Sequence, residues 1–146
     1  MTINNDPLAI TLFSEIATVD QIGRSRLKSA LPEGMELSHF SILNHFAHLG
    51  GEKTPAQLAR IFHVTKGAMT NTLARLSASG FVHIRPDWDD ARRKRVSISP
   101  AGRAARDRAV QAVDPVFEDV IERLGPEKIR AMLPLLRELR TILLTD

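Results

Sequence analysis

The densest chemistry in this chain is the run Asp87-Trp88-Asp89-Asp90-Ala91-Arg92-Arg93-Lys94-Arg95. Four consecutive cations at a loop tip repel one another and add nothing to folding, so a polyanionic partner explains them better than an internal role. Arg92 follows Asp90 by two positions, a spacing that lets the carboxylate brace the guanidinium. An Arg held that way fits a narrow A·T-rich minor groove, where negative potential is strongest. A second set lies upstream in Thr65-Lys66-Gly67-Ala68-Met69-Thr70-Asn71-Thr72. With Met69 turned inward, Lys66, Gly67, Ala68, Thr70 and Asn71 remain on an outer helix face. The small residues admit close approach to base edges, Asn offers a paired contact to adenine, and Thr reaches base or phosphate. Lys66, Arg75 and the helix N-terminus itself, capped by Thr65, suit phosphates.

Other chemistries lack their residues. There is no Cys and no Tyr, no Gly-rich phosphate loop, and no carboxylate pair in an apolar setting, so nothing implies an enzyme or a cofactor. His45 and His48 are three apart on one helix but have no third ligand beside them, which argues against a metal. No apolar run reaches membrane-spanning length, and Met1 to Pro7 lacks the charged and apolar regions of a signal peptide. The expectation is a cytoplasmic protein without a membrane partner.

Charge is unevenly placed. Residues 50–106 carry eleven Lys/Arg against four Asp/Glu, a net of +7, while the flanks hold −4. The middle of the fold should therefore carry a positive field that speeds encounter with a polyanion.

The elements that position these residues are mostly helical. Leu8, Leu12, Ile16, Val19, Leu27 and Leu31 recur at roughly helical spacing before Pro32, predicting a long first helix. Ser38 is the expected cap of a second helix with Ile42, Leu43, Phe46 and Leu49 inward, ended by Gly50-Gly51. Thr54-Pro55-Ala56-Gln57 combines an N-cap Thr, Pro at the first helical position and Gln at the third, which is a capping box. That helix, with Leu58, Ala59 and Phe62 inward, stops near His63. Thr65 caps another with Met69, Leu73 and Leu76 inward and Gly80 at its end, and only about three residues separate the two helices. This is helix-turn-helix spacing.

Beyond Gly80 the period becomes alternating, Val82 and Ile84 out and Val96 and Ile98 back, with the charged connection Pro86 to Lys94 projecting as a wing. Trp88 on that wing is expected to pack on the hairpin or touch DNA backbone. Ser99-Pro100 then opens a long helix with the stripe Val110, Val113, Val116, Phe117, Val120, Ile121 and Leu124, in which Pro115 should introduce a kink. Gly125-Pro126 precedes a last helix lined by Ile129, Met132, Leu133, Leu136, Leu139 and Leu143, with Pro134 inside it.

The expected fold is mainly α with a small β-hairpin wing, one domain over residues 1–146. A winged helix-turn-helix at 38–99 is flanked by N- and C-terminal dimerisation helices at 8–31 and 100–144. The terminal helices carry more apolar surface than a small winged domain covers, and a symmetric homodimer is the simplest way to bury it. The rival reading is a winged helix that serves only protein–protein interaction and shows little salt dependence with DNA.

The run Asp87 to Gly102, D-W-D-D-A-R-R-K-R-V-S-I-S-P-A-G, resembles the wing signature of MarR-type transcriptional regulators: Asp-x-Arg, an alternating strand, and a Ser/Thr-x-x-Gly helix start. T-P-A-Q-L-A-R-I-F and L-A-R-L-S-A-S-G-F-V resemble that family's helix-turn-helix, and the order of helices matches along nearly the whole chain. The chain departs from the commoner pattern at Trp88 and Ala91. The resemblance implies a homodimeric repressor on a palindromic double-stranded DNA operator. Asp90 and Arg92 take the wing roles beside Arg93, Lys94 and Arg95, and Lys66, Gly67, Ala68, Thr70, Asn71 and Arg75 lie on the recognition helix. It also implies release by a small aromatic or phenolic effector, for which His39 and a positive charge from Arg24 or Arg26 are the candidate contacts.

Overall fold

Caps and apolar spacing set the element boundaries, and the computed structural model describes residues 6–145. Helices α1 (Leu8–Ala30), α2 (Leu37–Leu49), α3 (Pro55–Ile61) and α4 (Lys66–Ala78) precede the hairpin strands β1 (Val82–Pro86) and β2 (Lys94–Ile98). Helices α5 (Pro100–Leu124) and α6 (Pro126–Leu144) follow. The chain divides into two compact units, one ending at Ala112 and one beginning at Val113. No helix among the described residues is long and apolar enough to cross a membrane.

Ser38 is not the cap of α2. The turn closed by Met35 N–H and Pro32 O (3.1 Å) delivers an extended Glu36 to the cap position, and Ser38 falls inside the first helical turn. Glu36 N–H donates to His39 Nδ1 at 3.3 Å in a capping box. Ile42, Leu43 and Phe46 are buried as their spacing requires, but Leu49, the last helical residue before Gly50, is 69% exposed. Thr54 caps α3 as expected, its Oγ1 accepting from Gln57 N–H (3.2 Å) while Gln57 Oε1 accepts from Thr54 N–H (2.9 Å). The turn into α4 passes through His63 at φ 52° and closes with Val64 N–H donating to Ala59 O at 3.0 Å. His is among the non-glycine residues better able to adopt that left-handed conformation. Thr65 Oγ1 then accepts from Ala68 N–H (3.1 Å), and Met69, Leu73 and Leu76 sink one face of α4 into the core.

The hairpin pairs Val82 with Ile98, Ile84 with Val96 and Pro86 with Lys94. A third segment joins it: Lys53 and Val96 exchange both backbone hydrogen bonds (3.0 and 2.8 Å), tying β2 to the link between α2 and α3. Helix α3 packs on α4 and β2, α4 on β1 and α2, and α2 on β2 and α1. The resulting core is Ile42, Leu43, Phe46, Leu58, Ala59, Met69, Leu73, Leu76, Val82, Val96 and Ala105. Each large aliphatic or aromatic side chain fully buried here contributes about 1.5–3 kcal/mol.

The buried side of α5 begins earlier than its large apolar residues suggest. Gly102, Ala105 and Ala109 are buried ahead of Val113, small residues that a search for bulky side chains passes over. Ser99 organises this start: its Oγ accepts from Gly102 N–H (2.9 Å) and donates to Gly80 O, and its N–H donates to Phe81 O (3.0 Å). Gly102 is thereby pressed against the backbone, where an added Cβ would stand 1.9 Å from Phe81 O. Helix α5 continues across Pro115, and α6 across Pro134.

In the first unit α1 buries no residue and exposes Leu8, Ile10, Leu12, Phe13, Val19 and Ile22. In the second unit α6 likewise buries none, and Met132, Leu133, Leu135, Leu136, Ile142, Leu143 and Leu144 are exposed. Exposed large apolar side chains gathered on one helix usually mark an interface.

Two features of the packing set measurable stabilities. Gly102→Ala should cost about 1–3 kcal/mol or more in a urea melt, because a backbone carbonyl cannot swing aside as a side chain would. His45 gives a pH dependence: its ring lies edge-on to Phe46 and Phe62, with Nε2 buried and unpartnered among the described residues. Burial, and then the Lys53 ammonium, hold its pKa below the ordinary 6.5. The unfolded chain therefore takes up the proton first, and stability falls as pH drops below about 6.5 towards the depressed value. The urea midpoint should decline over that window, and His45→Phe should remove part of the decline.

Candidate nucleic-acid interface

With Met69, Leu73 and Leu76 buried, α4 turns Lys66, Gly67, Ala68, Thr70, Asn71, Ala74 and Arg75 to solvent. Nothing in the fold requires Gly67 to be small, since an added Cβ would meet no atom within 4 Å. The Thr70 hydroxyl donates to Lys66 O (2.9 Å) and Thr72 to Ala68 O (3.0 Å), whereas Asn71 makes no side-chain hydrogen bond among the described residues. Arg75, expected free for phosphate, donates through Nη1 to Glu36 Oε1 at 3.3 Å.

The wing is built on carboxylates. Asp87 is buried at its root: Oδ1 accepts from Asp89 N–H (2.9 Å), Oδ2 from Arg95 Nε (3.2 Å), and its own N–H donates to Arg93 O (3.1 Å). That last bond extends the ladder one step, so Arg93 closes it, Lys94 and Arg95 stand in β2, and of the four cations only Arg92 lies in the loop. Arg95 is bound to a buried acid, so the expectation that all four cations add nothing to folding is corrected for this one. Asp90 braces Arg92 as expected, Oδ1 accepting from Arg92 N–H (3.1 Å) and Nε (3.2 Å), and it also reaches Arg93 Nε at 3.5 Å. Arg92 keeps 91% of its side chain exposed despite this hold.

Arg85 and Arg95 face each other across the strands, a like-charge pairing that destabilises a hairpin unless each charge is met. Each is. Glu52, carried beside β2 by the Lys53 bridge, takes Arg85 through two bonds of 2.7 and 2.8 Å, and Asp87 takes Arg95. Hydrogen bonding lowers the pKa of Glu52, Asp87 and Asp90: to Arg85 for Glu52, to the Asp89 N–H and then Arg95 for Asp87, and to Arg92 for Asp90. Trp88 is 82% exposed and packs only its face, under the Arg85 guanidinium 3.8 Å from the ring centroid.

Helix α3, helix α4 and the wing enclose a cleft of about 570 Å³ lined by Arg60, Lys66, Arg92, Arg93, Lys94 and Arg95, with Thr54, Gln57 and Thr70 among its polar groups and no carboxylate. Lys66, Thr70 and the wing cations thus converge, whereas Gly67, Ala68, Asn71 and Arg75 do not line it. Sequence reasoning missed Arg60, whose signal was its place one turn after Gln57 on a capped helix. The acids Glu36 and Glu52 had no sequence signal, because their partners lie 39 and 33 residues away. Arg24 is bound to Asp20 at 2.9 Å, and the His39 Nδ1 is taken by the α2 cap. Among the described residues no three His, Cys, Asp or Glu side chains converge as a metal site.

A capped helix pair, an exposed second helix and a basic hairpin beside it define a winged helix-turn-helix protein. Residues 33–93 of the chain match the model of the MarR family. Its fold is similar to that of a mutant MarR from Escherichia coli complexed with operator DNA (TM-score 0.76, 24% identity, 92% of this chain and 99% of that one). It is similar also to the transcriptional regulator BldR from Sulfolobus solfataricus (TM-score 0.80, 22% identity, 91% and 94%). A third likeness is to BpsR of Bordetella bronchiseptica, whose DNA binding is regulated by 6-hydroxynicotinic acid (TM-score 0.76, 18% identity, 89% and 98%). No curated protein sequence matches the chain.

Removing the carboxylate at the wing root should loosen the hairpin without touching the helix pair. Asp87→Ala should speed tryptic cleavage at Arg92 to Arg95 severalfold while leaving far-ultraviolet circular dichroism unchanged; equal cleavage rates would deny Asp87 that role.

Proposed function

We propose that this protein is a transcriptional regulator that binds duplex DNA in a sequence-specific manner as a homodimer, and that it acts as a repressor. The observation that carries this reading is the cleft between α3, α4 and the wing, which gathers six cations and no acid beside an exposed helix. Arg60, Lys66 and Lys94 have no acid partner among the described residues, so they gain little from the fold and much from phosphates, whose counterions they displace.

In this reading α4 enters the major groove. Gly67 and Ala68 allow close approach, Asn71 and Thr70 meet base edges, and Thr65, Lys66 and the helix N-terminus meet phosphate. Arg92, braced by Asp90, enters the minor groove, with Arg93, Lys94 and the partly engaged Arg95 along the backbone. Arg60 joins the phosphate contacts. The winged portion, 38–99, reads DNA, and the helices at 8–31 and 100–144 pair two copies, which would cover the exposed apolar residues of α1 and α6. Control by a small aromatic acid, as in the Bordetella bronchiseptica protein, fits this design, although Arg24 and His39 are already committed to contacts within α1 and at the α2 cap.

The test is a selection of bound fragments from random duplex DNA, followed by titration of the selected site at several salt concentrations and sedimentation at micromolar concentration. A two-fold site with half-site centres about 10 bp apart or a multiple, affinity falling steeply with salt, and a dimer are expected. Arg92→Ala should weaken the selected site by about 1–3 kcal/mol per half-site. A protein that stays unbound at low salt would be an interaction module instead.

A further inference from the structure

Helix α4 carries two cations, Lys66 and Arg75, and the fold treats them differently. Lys66 lines the basic cleft, whereas Arg75 is met by Glu36 from the cap of α2, Nη1 to Oε1 at 3.3 Å across 39 residues of sequence. Both side chains are mostly exposed, at 59% and 60%, and an ion pair so placed contributes little to stability. Its effect falls instead on what Arg75 is free to bind.

The geometry differs from that of the braced wing arginine. Asp90 holds Arg92 from the Nε side, at 3.2 Å to Nε and a longer 3.5 Å to Nη2, so Nη1 stays open. Glu36 meets Arg75 at Nη1, one of the two outer nitrogens that would meet a phosphate. A phosphate approaching Arg75 also approaches the Glu36 carboxylate, and like charges repel. Glu36 is itself set in place by the capping box with His39, whose Nε2 lies 4.0 Å from Glu36 Oε2.

We infer that Glu36 is a specificity-determining residue: it neutralises Arg75 and so restrains indiscriminate capture of phosphates by α4. This rests on the DNA-binding reading above. Where base contacts seat α4 in its site, the arginine is drawn from the carboxylate to phosphate; on random sequence no such contacts offset the repulsion.

The experiment measures binding of the full chain to a labelled random-sequence duplex between about 50 and about 200 mM salt. Glu36→Gln should bind that duplex more tightly at low salt and lose about 3.5-fold more affinity across the range for each copy in contact, about 12-fold for the dimer, the signature of one added phosphate contact per copy. The same substitution placed on Arg75→Gln should change neither quantity. Glu36→Asp keeps an acid suited to the α2 cap but withdraws it from Arg75, and should shift binding in the same direction as Glu36→Gln. An unchanged salt slope for Glu36→Gln, or a gain that persists without Arg75, would overturn the inference. If the unsubstituted chain binds no duplex at any salt, the DNA-binding reading falls and takes this one with it.

Discussion

The structure around the wing depends on matching each crowded cation to a carboxylate or leaving it for a partner. Asp87 is central because it is buried and satisfies the loop backbone and Arg95 together. Glu52 does the same for Arg85, and it reaches that arginine because the Lys53–Val96 bridge carries the preceding residue alongside β2. Without these two acids a hairpin that places Arg85 opposite Arg95 would work against its own pairing. Among the described residues, three cations with no acid partner, Lys94, Arg60 and Lys66, lie around one cleft. Positive potential is thus concentrated where the fold supplies no acid to cancel it.

Apolar surface follows a parallel logic. The core of the first unit is filled by α2, α3, α4, the hairpin and the start of α5, with Phe46, Leu43 and Val96 excluded from water altogether. Helices α1 and α6 keep their large side chains outside any such core. A chain of this size gains little from leaving two amphipathic helices wet, which is why pairing of two copies fits the distribution of exposed Leu, Ile and Met.

Much of this was legible in the residues themselves, and the exceptions have physical causes. The Thr54-to-Gln57 box, the Thr65 cap and the Val82-to-Ile98 alternation are local signals, each decided by hydrogen bonds within a few positions. The Asp90–Arg92 brace was legible for the same reason. Ser38 misled because a hydroxyl is the commoner cap, and the turn before it placed a carboxylate there instead. The buried start of α5 escaped notice because its tight approach is made by Gly102 and alanines, which contribute proximity and little hydrophobic bulk. The pairings of Arg75 with Glu36 and Arg85 with Glu52 were invisible in principle, since they join elements that only tertiary folding brings together.

The way the hairpin is closed leaves evolutionary latitude at its tip. The backbone bond between Asp87 and Arg93 shuts the ladder before the loop begins, and the core residues Val82 and Val96 lie well behind that closure. Residues 88–92 therefore stand outside the paired ladder. Their length and composition can drift through insertion or exchange while strand register, and with it the whole interior, stays as it was.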